Sequence, residues 1–158
     1  MDFMPWQAVI FQSIPESIIL ISLGLGFLGL YPPFNGVVLV ATVYSLSSVV
    51  IRGLPLPFGA HTLILLPLLA VLLKLFFKIE WWRAATAALL GTIIFGLVES
   101  ISIPLMLFLT GYDLATVMHD SWLRVLFPLP DEIILGMLAW IVWKKRLSLF
   151  RPGRPKFY

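Results

Sequence analysis

Chemistry in this 158-residue sequence has few places to start, because few of its side chains combine charge with an apolar setting. Glu99 is the only charge in residues 84–112, a stretch that at 1.5 Å per residue extends roughly 40 Å and is long enough to cross a bilayer. Glu16, Arg52, His61, Asp131 and Glu132 complete the candidates for holding a ligand or forming an ion pair. An ionisable residue inside a membrane is expensive and marks a site hypothesis. For Glu99 two readings stand side by side: pairing with another helix to assemble a bundle, or contact with a ligand. Its preferred ion-pair partner is Arg52, with His61 the second choice.

These residues do not compose an enzyme. The sequence has no H-E-x-x-H, no G-x-S-x-G and no closely spaced acid pair within a span, and the neighbours Asp131 and Glu132 project in different directions on a helix. The chain has no cysteine, which removes disulfides, thiolate metal sites and thiol nucleophiles. His61 and His119 are the only imidazoles. One histidine at the edge of a span brings too few ligands for a metal, and His119 lies on a polar helix, so neither metal nor cofactor is expected. Gly24, Gly26 and Gly29 fit G-x-G-x-x-G, but they lie inside an apolar run with no strand before them, and close helix packing is the better use.

The elements that must position these residues are membrane helices. Hydrophobic residues make up 60% of the chain and charged ones 12%, against roughly 45–50% and 25% in soluble domains. The expected fold is all-α, a polytopic membrane bundle of about five transmembrane helices with an outer amphipathic helix, forming one domain over residues 1–150. The basic tail 151–158 is expected to be disordered. The N-terminus has no basic region or cleavage site and reads as mature structure.

The first span has two starts, of which the capped one is preferred. Ser13-Ile14-Pro15-Glu16 has the S-x-x-E capping pattern, which begins a helix there with residues 4–12 in the interface; the other start is one longer helix kinked at Pro15, with Glu16 inside the membrane. The second span covers residues 36–51 and the third 60–77. Between them the Arg52 to Gly59 loop is stiffened by Pro55 and Pro57. Pro67 and Pro104 should kink the third and fourth spans, because each leaves a carbonyl four residues earlier without its donor. On the fourth, Ala85, Ala88, Thr92, Gly96, Glu99 and Ser102 or Ile103 share a stripe expected to face protein. Residues 112–124 read as the amphipathic surface helix. Asp131 and Glu132 open a last span, 133–143, too short for a full bilayer, which places both acids below the headgroups and sheltered by protein.

Six of the eleven Lys and Arg follow the last span and three flank the turn between the third and fourth. The positive-inside rule puts both places in the cytoplasm and the N-terminus outside. The candidate residues then gather toward the outer face.

Four runs carry a resemblance: IPESIILISLGL in the first span, RGLPLPFGAHT between the second and third, VESISIP in the fourth and LRVLFPLP before the last. Together they resemble the membrane-embedded N-terminal domain of bacterial sensor histidine kinases with a GHKL-type ATPase, whose overall plan is that of the accessory-gene-regulator receptors. The resemblance covers most of the chain. It implies a sensor or receptor module in a bacterial cell membrane, receiving a ligand at its outer face and relaying to a cytoplasmic kinase. The sequence shows no dimerisation helix, phospho-acceptor segment or ATP-binding motif, so relay is expected in trans, to a kinase or other signalling partner. A small substrate-binding or scaffold subunit of a transporter is the alternative. A homo-oligomer suits either reading, the lipid bilayer is the common partner, and no nucleic acid is expected.

Overall fold

Pro15 has no N–H to donate, and the first helix passes it by widening. The computed structural model describes residues 6–55 and 60–149. In it, one turn at Trp6–Ala8 (α1), a π turn at Val9–Ser13 and the helix Ile14–Phe27 (α2) follow without a break. The Ile14 amide bonds back to the Val9 carbonyl, five residues away, which slips the ladder past the proline. Ser13 has helical backbone angles and makes no side-chain cap, so the preferred capped start is not the one adopted and the chain takes the longer helix. Glu16 thereby lies inside the apolar segment Val9–Phe27. The Ser13 carbonyl accepts hydrogen bonds from the Ser17 and Ser45 hydroxyls at 2.7 and 2.8 Å, which ties the π turn to the next helix.

That next helix is Phe34–Arg52 (α3), followed by Ala60–Phe77 (α4), Trp81–Thr110 (α5) and, after two short helices, Leu129–Lys145 (α8). Among the described residues every regular element is helical. Val9–Phe27, α3, α4 and α5 are long and apolar enough to cross a membrane, while α8, at 17 residues, packs beside α2 as the fifth member of the bundle.

The centre of the bundle is α2, which packs against α3, α5 and α8 and buries every residue from Leu20 to Gly26. A helix apolar on all sides belongs in such a position. Two glycines bring α2 and α5 together backbone to backbone. A Cβ on Gly24 would collide with the Ala87 carbonyl, and one on Gly91 with the Leu20 carbonyl. This is the close approach that small residues permit in membranes.

The buried face of α5 is Ala84, Ala87, Ala88, Gly91 and Phe95. Only Ala88 of the sequence-predicted stripe belongs to it; Ala85 is exposed, and Thr92, Gly96 and Glu99 border a cavity instead. The stripe is rotated because backbone contact with α2 selects the smallest residues, and these lie beside the polar ones. Pro67 and Pro104 both sit inside helices that continue through them. Exposed Leu97, Ile101, Leu105 and Phe108 suit lipid contact along the second half of α5.

The amphipathic surface helix is two helices, Leu114–His119 (α6) and Ser121–Leu126 (α7). Asp120 divides them. It adopts extended backbone and its carboxylate accepts from the Trp122 and Leu123 amides, capping α7, while Asp113 caps α6 through the Thr116 amide. At the far end Arg146 closes α8 in the left-handed region, φ 51°, and the Leu149 amide reaches the Phe27 carbonyl at 2.7 Å. Tail residues 151–158 and loop residues 56–59, on which the expectations of disorder and stiffness partly rest, lie outside the described residues.

Candidate functional site

Three helices bring charge to one cavity. Glu16 comes from the first turn of α2, Arg52 from the last turn of α3 and Glu99 from the second half of α5. Thr92, Gly96 and Glu99 recur at three- and four-residue spacing and so share a face of α5. The first turns of α4 close the opposite wall with Thr62, Leu65 and Leu66, and Tyr44 and Phe95 complete it. The space enclosed is about 220 Å³. Its wall mixes carboxyl, guanidinium, hydroxyl and apolar groups.

Arg52 lies within electrostatic reach of Glu16, Glu99 and Tyr44. No ion pair within 4.0 Å joins it to either acid, so the guanidinium and the carboxyls face one another across open space. His61 stands one residue outside the wall, its ring nitrogen 3.4 Å from the Leu54 carbonyl. It serves the loop and does not reach Glu99 as a partner.

Behind this cavity lie the two acids of α8. Asp131 is fully buried and Glu132 is 7% exposed. Both carboxylate oxygens of Asp131, one of Glu132 and the amide oxygen of Gln12 have no hydrogen-bond partner. Ser102 of α5 faces Asp131 without bonding to it. Asp131 also acts on Glu99, and Glu132 on Glu16, so four carboxyl groups from three helices share one end of the bundle. Among the described residues no group of three or more His, Asp or Glu side chains is arranged to hold a metal ion.

Of the six candidates, then, Glu16, Arg52 and Glu99 line the cavity, Asp131 and Glu132 stand behind it, and His61 is at its edge. Thr62, Phe95 and Gln12 were not singled out in the sequence. Gln12 had a visible signal, being an amide one turn before Glu16 in an apolar run. Phe95 had none, because an aromatic residue in a membrane helix is ordinary until its neighbours are known. No family model, curated protein or solved structure matches the chain.

Proposed function

We propose that this chain is a non-catalytic, membrane-embedded module of the sensor type that receives a small, positively charged or zwitterionic solute in the cavity between α2, α3, α4 and α5. Glu16 and Glu99 take the cationic group, Arg52 orients any anionic one, and Leu65, Leu66 and Phe95 cover the apolar part. The observation that carries the reading is the convergence of two carboxyls and a guanidinium from three helices on one open space, with further acids behind them. The sign rests on the occupant's own charge: acids outnumber the cation that acts on them, and a cationic group entering the low-dielectric wall favours their ionised form.

Relay follows from the wall itself. Leu20 lines the cavity, and its carbonyl packs against Gly91 at the α2–α5 crossing. An occupant that displaces Leu20 moves that crossing, and a rigid helix carries the shift to the opposite end. That end carries Lys74, Lys78, Arg83, Lys144, Lys145 and Arg146, is cytoplasmic by the charge rule, and is where a kinase or other signalling partner reads the change.

Thermal unfolding of the purified chain in nanodiscs, against a panel of small amines, amino acids and carboxylates of matched size, tests the binding step. Stabilisation by amines or zwitterions, lost in Glu99→Gln and Glu16→Gln, supports it; stabilisation by carboxylates alone reverses the sign and rejects it. Flux of the stabilising solute into proteoliposomes would instead assign the cavity to the alternative, a transporter subunit.

A further inference from the structure

A second concavity lies on the outside of the bundle, where α2 and α8 diverge. Ile18, Ile19, Gly136, Ala139, Trp140 and Trp143 form its walls together with Ser22 and Phe34, and its volume is about 230 Å³. Its walls are almost wholly apolar. The polar indole N–H of Trp143 is satisfied, donating to the Ser22 carbonyl at 2.8 Å. From Gly136 to Trp143 it follows α8 for roughly 10 Å at 1.5 Å per residue, and it runs toward the end of the helix where the bases are.

Trp140 and Trp143 of the groove wall link it to cations at the end of α8, one directly and one through Tyr31. The Lys144 ammonium sits 4.4 Å from the Trp140 ring centroid. Arg146 stacks 4.4 Å from the Tyr31 ring, which meets Trp143 edge-on at 5.7 Å. With Lys145 these make three adjacent exposed cations, and none has an acidic partner within ion-pair distance among the described residues. An apolar channel ending in fixed, unpaired positive charge is complementary to one occupant in a bilayer: an acyl chain ending in an anionic headgroup.

We propose that this groove is a binding site for an anionic phospholipid, one acyl chain lying along Gly136 and Ala139 and the phosphate held by Lys144 and Arg146. Gly136 has a specific part in it. A Cβ there would meet only Ile19, at 3.6 Å, so the missing side chain leaves the channel floor open and does not serve close helix packing. The site is separate from the charged cavity and stands whether or not that cavity binds a solute.

Native mass spectrometry of the full chain, released from micelles containing phosphatidylglycerol or phosphatidylcholine with the same acyl chains, reads the site directly. The expected result is one retained phosphatidylglycerol in preference to phosphatidylcholine. Gly136→Leu, which fills the channel, abolishes retention, and Lys144→Gln and Arg146→Gln each weaken phosphatidylglycerol retention roughly fivefold while leaving phosphatidylcholine unchanged. Equal retention of the two lipids means an annular lipid only and overturns the proposal, as does a stable dimer that excludes lipid, which gives the groove to a second copy. Should Gly136→Leu fail to fold, the Lys144→Gln/Arg146→Gln double variant decides alone, because both side chains are exposed; unchanged retention overturns the site.

Discussion

Arg52 and Glu99 face each other across the cavity, and their separation sets the size of their coupling. A contact ion pair buried in the bundle would lose about 3–5 kcal/mol when one partner is removed. Beyond 4.0 Å, with Arg52 exposed, the expected coupling in a double-mutant cycle of Glu99→Gln and Arg52→Gln is about 1 kcal/mol or less. Chemical denaturation in nanodiscs at one pH measures it, and a coupling of several kcal/mol would mean that the two side chains close into contact. Asp131 makes the opposite case. Its carboxyl is fully buried and bonded to nothing, so Asp131→Asn, which keeps the shape and drops the charge, is expected to hold or raise the thermal midpoint. A clear drop would show that the carboxyl has a partner it needs.

At the scale of the helix, glycine sorts by surroundings. Gly24→Ala drives a Cβ into the Ala87 backbone, which cannot move aside, and is expected to cost about 1–3 kcal/mol; Gly96→Ala meets nothing within 4 Å and should be tolerated. Equal losses for the two would refute the backbone contact between α2 and α5. The cap on α7 predicts a pH response. The Leu123 and Trp122 amides hold the Asp120 carboxyl below its ordinary value of 3.8, so the cap is complete above that value and is lost as the pH falls through the lower folded one. Amide chemical shifts of Trp122 and Leu123 should titrate together with a midpoint below 3.8; a midpoint at or above 3.8 would contradict the cap. Asp120 also shows where the sequence was hard to read. Apolar periodicity ran through residues 112–124 as one amphipathic helix, and a single capping aspartate split it. The long spans were legible because lipid demands long apolar runs, and α4 covers Ala60–Phe77, the limits expected of the third span. The π turn at Val9–Ser13 was not, because the capping pattern at Ser13 and the proline two residues on fit a helix start and a helix interior alike.

Across the whole molecule charge is polarised. Glu16, Arg52, Glu99, Asp131 and Glu132 occupy one end of the bundle, and Lys74, Lys78, Arg83 and the cations that close α8 occupy the other. That separation was legible residue by residue, since a charge stands out in an apolar span. The cavity at the acidic end was not, because its volume depends on how α2, α3, α4 and α5 pack against one another, and the leucines that line it resemble every other leucine in the chain. The proposed function centres on a cavity that opens to the outside and favours cations, and the chain's lack of cysteine makes both points measurable together. Single cysteines at Thr62 and Gly96, in cells, can be exposed to membrane-impermeant cationic and anionic thiosulfonates of equal size. The account predicts that both positions react from outside, the cationic reagent faster on the order of tenfold, with the preference reduced in Glu16→Gln/Glu99→Gln and no reaction at Leu105. No reaction from outside, or faster reaction with the anion, would contradict it.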